Sequence, residues 1–137
     1  MKKISFDWDG TLSENDVQGL AVFLKHLKFD IHIVTSRYDE KTAAKKFGEN
    51  RFSNQPIFDL AKELNIPTKN IIFTNMEDKA IFFKKNNDFI FHLDDDETEV
   101  HLINKHTTVK GILKDNNETT FPPNWYDQII DLIASLV

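Results

Sequence analysis

Lys3-Ile4-Ser5-Phe6-Asp7-Trp8-Asp9-Gly10-Thr11-Leu12 sets an apolar run against two aspartates one residue apart, with a glycine directly behind them. β-Branched and aromatic residues followed by a breaker predict a short buried strand over Lys3–Trp8. If the strand runs through both acids, its period of two aims Asp7 and Asp9 the same way. Two carboxylates that close repel, and neither belongs in a core without a partner. A bound cation, or a proton retained on one of them, resolves the conflict. Either remedy makes the carboxyl end of this strand a chemical site.

The rest of the chain alternates strands with helices. Ser13-Glu14-Asn15-Asp16 starts a helix whose Val17, Leu20, Ala21, Phe23, Leu24 and Leu27 recur at helical spacing. Phe29–Val34 is a second strand ending in Thr35-Ser36-Arg37, and Asp39–Phe47 is a helix closed by Gly48. After a polar connection over Glu49–Gln55, Pro56 opens a helix through Leu64. Strands follow at Asn70–Thr74, at Asp88–Leu93 running into Asp94-Asp95-Asp96, and at Thr107–Leu113. Helices follow at Glu77–Asn86, Glu97–His106 and Tyr126–Leu136, with Phe121 and Trp125 expected to anchor the last one to the core.

This alternation predicts one α/β domain over residues 1–137: a three-layer, Rossmann-like fold with a mostly parallel sheet of about five strands and helices on both faces. Right-handed crossovers bring the carboxyl ends of parallel strands to one edge, where ligands bind at the reversal of strand order. That edge then carries Asp7 and Asp9, Thr35, Asp94 with Asp95, and Lys79 from the helix after the third strand.

The 137 residues suffice for one core, to which twelve Phe should contribute. With no Cys, disulfides and thiolate metal sites are excluded. The basic Met1-Lys2-Lys3 precedes too short an apolar run for a signal peptide, and nothing approaches a membrane span, so a cytoplasmic protein without a membrane partner is expected. A net charge of −5 argues against a stable nucleic-acid partner. The Lys41, Lys45 and Lys46 face reads as solvated, and the five histidines show no metal-ligand spacing.

As a set, the edge residues suit a phosphate ester beside a divalent cation. Asp7 is placed to attack phosphorus and Asp9 to protonate the leaving oxygen. Asp94 and Asp95 complete with Asp7 an oxygen-rich site of the kind Mg²⁺ prefers. The Thr35 hydroxyl, or Ser36 if the register slips by one, faces a phosphoryl oxygen, and Lys79 offsets the carboxylates and the developing charge. Arg37 offers a planar fork of donors for phosphate or substrate. A calcium loop on Asp7-x-Asp9-Gly10 fails, because Ser5 and Asp16 would fall at its first and last positions.

These segments resemble the motifs of the haloacid dehalogenase superfamily. Asp7-Trp8-Asp9-Gly10-Thr11-Leu12 is similar to the first, Ile31-His32-Ile33-Val34-Thr35 to the second, Lys79 (with Lys84 and Lys85 as alternatives of poorer reach) to the third-motif lysine, and Ile90-Phe91-His92-Leu93-Asp94-Asp95 to the fourth. The resemblance spans Lys3 to about Asp96. It implies a Mg²⁺-dependent phosphomonoesterase working through a phosphoaspartyl intermediate on Asp7. It also implies that Asp9 gives its backbone carbonyl to the metal while its side chain serves as acid and base.

The intervals Thr11–Asp30 and Arg37–Asn75 are too short for the cap domains usual in that superfamily, so an open, capless site is expected. Such a site suits a small phosphorylated substrate or the phosphorylated end of a macromolecule, with a nucleotide or nucleic-acid end preferred to a sugar phosphate. A homo-oligomer in which a second subunit forms the lid stays open. A signalling receiver domain would carry its acids and phosphoacceptor in another order. A non-catalytic phosphate- or Mg²⁺-binding module has less need of Asp9.

Overall fold

Lys3–Phe6 forms strand β1 at the centre of a five-stranded sheet, its Ile4 and Phe6 fully buried. The computed structural model describes residues 1–48 and 53–136, so the expected polar connection over Glu49–Gln55 lies partly outside the described residues. The elements that follow are α1 (Asn15–His26), β2 (Asp30–Thr35), α2 (Glu40–Phe47), α3 (Gln55–Glu63) and β3 (Ile71–Phe73). Then come α4 (Lys79–Lys85), β4 (Phe89–Asp94), α5 (Glu97–His106), β5 (Lys110–Leu113) and α6 (Asn124–Ala134). All four strand pairings are parallel, in the order β3-β2-β1-β4-β5. The chain builds outward from β1 on one side, then returns to build on the other. The order therefore reverses between β1 and β4, where a crevice opens at the carboxyl ends.

Two apolar clusters form the two faces. Val17, Leu20 and Leu24 of α1, Ile57 and Ala61 of α3, and Trp125, Ile129 and Ile133 of α6 pack with Ile4, Phe6, Ile31 and Ile33. Ala80 and Phe83 of α4 and Ile103 of α5 pack with Val34, Phe89 and Val109. Helices thus cover both faces, as the alternation of elements predicts. Among the described residues nothing between β1 and β2, or between β2 and β3, forms an inserted domain, and no helix is long and apolar enough to cross a membrane.

Two expectations are corrected. β1 ends at Phe6 instead of continuing through Trp8, because the chain curls into a wide turn over Trp8–Leu12. Leu12 N–H donates to Asp7 O and Ser13 N–H to Trp8 O, both at 3.0 Å. This sends the Trp8 ring into the larger apolar cluster and points Asp9 elsewhere than along a strand. Phe121 does not anchor α6: it is 94% exposed, and Trp125 alone of the pair is buried.

An irregularity in β4 matters for the site. Lys3 pairs with Phe89, but Ser5 pairs with His92, so β4 holds one more residue than β1 over that interval. Such a bulge resets the in–out alternation. Phe89 consequently packs beside Phe83 of α4, Phe91 joins the opposite cluster, and His92 returns to the α4 side, 5.0 Å from the Phe83 ring. His92 and Asp94 thereby share a face with Ser5 and Asp7.

Candidate active site at the carboxyl edge of the sheet

The polar stripe laid down by the bulge is a continuous buried network. Ser5 Oγ lies 2.7 Å from His92 Nδ1, and His92 Nε2 lies 2.8 Å from Asp94 Oδ2. The Lys79 ammonium donates to Asp94 Oδ2 at 2.6 Å and to Asp7 Oδ1 at 2.7 Å. Ser5, Asp7, Lys79, His92 and Asp94 are all buried. An ionised carboxylate only accepts, so His92 must donate from Nε2 to Asp94, which leaves Nδ1 to accept from the Ser5 hydroxyl. Burial holds His92 below its ordinary pKa, consistent with this neutral tautomer.

Lys79 opens α4, and its backbone N–H donates to Glu99 Oε2 of α5 at 2.9 Å. Glu99 thus satisfies a helix-start donor that the Asp78 side chain does not, and fixes the residue whose ammonium is shared.

The two carboxylates on Lys79 differ in environment. Burial pushes Asp7 up to about 8; Lys79 pulls the other way, and the charges of Asp94 and Asp95 add to the rise. Burial also acts against ionised Asp94, but the His92 hydrogen bond and the Lys79 charge outweigh it and hold Asp94 below the usual carboxylate range. For Lys79, burial alone would lower the pKa; Asp7 and Asp94 outweigh it and raise it. In the metal-free protein, one carboxylate of the pair keeps a proton where the other does not.

This has a consequence for stability. A folded-state pKa raised above the unfolded value means that the folded state binds the extra proton between the two values. Asp7 therefore stabilises the fold fully below about pH 4, and that contribution is lost as pH rises to about 8. Asp94 acts in the opposite sense, and only below its ordinary value. Burial lowers His92 and His32, which adds stability as pH rises to the ordinary histidine range, so the Asp7 decline stands alone only above it. Thermal unfolding of the metal-free protein is expected to show stability falling between about pH 7 and pH 8. A flat or rising profile across this window would contradict the assignment.

Asp95 approaches the turn after β1. Gly10 has φ +70°, and a Cβ there would lie 2.8 Å from Asp95 Cγ and closer still to Oδ2. Only glycine meets both demands. Gly10→Ala is expected to cost about 1–3 kcal/mol in urea unfolding and to displace Asp95. A variant as stable as the parent would show that the close approach is dispensable.

Oxygens of Asp7, Asp94 and Asp95 all lie within 4.8 Å of one another. Three carboxylates face one ammonium, so a divalent cation would balance them when all are ionised. The all-oxygen set is the hard-donor type that Mg²⁺ takes. The donor chemistry therefore fits that ion.

Asp9 lies outside this buried cluster, with a side chain 61% exposed. Arg37 grips it with both branches of its fork, Nε to Oδ2 at 2.9 Å and Nη2 to Oδ1 at 2.7 Å. The third guanidinium nitrogen donates to Ser53 O and Asn54 Oδ1, each at 3.2 Å. All three nitrogens of Arg37 are thus engaged by the protein. Thr35 is fully buried, and its hydroxyl accepts Arg37 N–H at 3.3 Å while retaining a proton to donate. Ser36 serves the backbone, its carbonyl accepting Met76 N–H at 2.7 Å.

The structure therefore draws Asp7, Lys79, Asp94 and Asp95 into one cluster and pairs Asp9 with Arg37 beside it. Ser5, Glu99 and Asn54 carry no sequence signal, because their roles depend on contacts across the sheet. His92 is visible only as the residue two before Asp94. No family model matches the chain, and no curated protein matches it.

Proposed function

We propose that the protein is a Mg²⁺-dependent phosphomonoesterase of the haloacid dehalogenase type, with Asp7 as nucleophile. The observation that carries this reading is the division of labour between two nearby acids. Asp7 is buried against Lys79 among the carboxylates, whereas the Gly10 turn delivers Asp9 to the surface.

Asp7, Asp94 and Asp95 would hold the metal through their side chains, with the Asp9 backbone carbonyl implied by the resemblance. Bound there, Mg²⁺ supplies positive charge beside the phosphoryl oxygens. An Asp7 oxygen forms a bond to phosphorus as the bond to the leaving oxygen breaks, and the Asp9 proton passes to that oxygen. Asp9 then takes a proton from water, whose oxygen attacks the phosphoaspartate phosphorus and frees phosphate and Asp7. Lys79 remains against Asp7 to offset charge, and the Thr35 hydroxyl donates to a phosphoryl oxygen. For Asp9 to carry a proton, the Arg37 fork must release one carboxylate oxygen. A nucleotide or nucleic-acid-end phosphate is preferred over a sugar phosphate, and a cytoplasmic setting fits the absence of Cys.

The closed Arg37–Asp9 pair favours one other reading, a phosphate- or Mg²⁺-binding module without turnover. A phosphate-release screen over nucleotides, 3′- and 5′-phosphorylated oligonucleotides and sugar phosphates separates the two. Mg²⁺-dependent release that chelation abolishes is expected. Mg²⁺ binding by calorimetry without release from any substrate would favour the binding module.

A further inference from the structure

A recess of about 480 Å³ opens beside Asp9, bounded by Arg37, Asn54 and the apolar groups of Tyr38, Ala43, Phe47 and Met76. Its volume is in the range of small-molecule sites. Two of its apolar residues are left open to solvent: Phe47 is 44% exposed and Met76 63%. The Tyr38 and Phe47 rings meet edge to face at 5.5 Å, so one aromatic wall is already ordered.

Met76 is held at φ +68°, directly after Asn75 at φ +55°. Left-handed backbone costs an L-residue about 1–2 kcal/mol. Hydrogen bonds impose it here, from Asn75 N–H to Arg37 O at 3.2 Å and from Met76 N–H to Ser36 O at 2.7 Å. The strain serves no core, because the Met76 side chain is mostly exposed. It fixes a polarisable apolar group at the rim of a recess next to the acid.

The position of Asp9 orients the substrate. A general acid must reach the leaving oxygen, so the leaving alcohol lies on the Asp9 side of phosphorus. A larger hollow of about 670 Å³ beside Lys114, Trp125 and Tyr126 contains neither Asp7 nor Asp9. It meets the acids through Asn116, whose amide lies 3.5 Å from Asp95.

We infer that the recess receives the leaving group of the substrate, and that this group carries a planar aromatic ring. The inference rests on the phosphomonoesterase reading and adds the class of alcohol released. In the step concerned, the phosphorus–oxygen bond to the alcohol breaks, the Asp7–phosphorus bond forms and the Asp9 proton goes to the alcohol oxygen. The ring contributes binding only.

The test compares kcat/KM with Mg²⁺ for ribose 5-phosphate, a nucleoside 5′-monophosphate and benzyl phosphate. All three release a primary alcohol, so a difference among them reports the ring. At least one ring-bearing substrate is expected to exceed ribose 5-phosphate by about tenfold or more. Preference for benzyl phosphate places the ring next to the phosphate, and preference for the nucleotide places it one sugar away. Met76→Gly and Phe47→Ala are each expected to reduce the preference severalfold. Met76→Gly also relieves the left-handed strain, so thermal unfolding should show no loss of fold in that variant. Equal kcat/KM for all three substrates, or a preference unchanged in both variants, would overturn the ring assignment while leaving the phosphomonoesterase reading intact. No release from any of the three would overturn the ring assignment, and the phosphomonoesterase reading falls with it only if the phosphorylated oligonucleotides and other sugar phosphates of the wider screen also give no release.

Discussion

Asp7→Asn is expected to lower Mg²⁺-dependent phosphate release by about 10⁴-fold or more, the scale on which loss of a covalent nucleophile is felt. The same change should leave the fold intact. An amide at this position still offers an oxygen to Lys79 and cannot ionise, so it removes the electrostatic conflict that raises Asp7. The decline in metal-free stability between about pH 7 and pH 8 should therefore flatten in the variant. Catalysis and stability then move in opposite directions, which general damage to the fold would not produce. Substantial residual turnover would remove Asp7 as nucleophile even if the stability profile behaved as expected.

Lys79→Met should produce the largest loss of stability. The ammonium is buried and shared between Asp7 and Asp94. Without it, Asp94 keeps its hydrogen bond from His92 but has no counter-charge beside it. Breaking a buried pair by removing one partner costs about 3–5 kcal/mol, so denaturant unfolding should show a loss on that scale. Because the residues touch, the Lys79→Met and Asp7→Asn effects should not add. The double variant should be more stable than the sum of the single changes predicts. A loss below about 1 kcal/mol for Lys79→Met would place the ammonium in water rather than in the network.

Much of the fold is legible in local pattern. Ile4, Phe6, Ile31 and Ile33 are apolar at strand spacing, and Val17, Leu20, Ala21 and Leu24 at helical spacing; all are buried. The acids at strand ends, read with the parallel-sheet rule, place Asp7, Lys79, Asp94 and Asp95 together, and the structure does bring them together. The break in β1 after Phe6 was hidden, because the signal for it is the Gly10 turn closing around Asp95, a contact 85 positions distant along the chain. The bulge in β4 was hidden for a related reason. Phe89-Ile90-Phe91-His92-Leu93 reads as one apolar run, and only pairing with β1 reveals which residue is extra. The Ser5–His92 link follows from that register and has no local signature.

Arg37 shows the difference between chemistry and geometry. Its fork suits a phosphate, and the expectation of a clamp follows from its chemistry and its place after β2. In the structure the fork closes on Asp9, Ser53 and Asn54. Local pattern could not weigh a substrate against partners supplied by neighbouring loops.

The central claim, a covalent phosphoaspartate on Asp7, is open to direct capture. Borohydride added during Mg²⁺-dependent turnover reduces an acyl phosphate, and peptide mapping locates the reduced residue. The account predicts homoserine at position 7, formed only when both substrate and Mg²⁺ are present. Reduction at another residue, or steady turnover with position 7 unmodified, would contradict it.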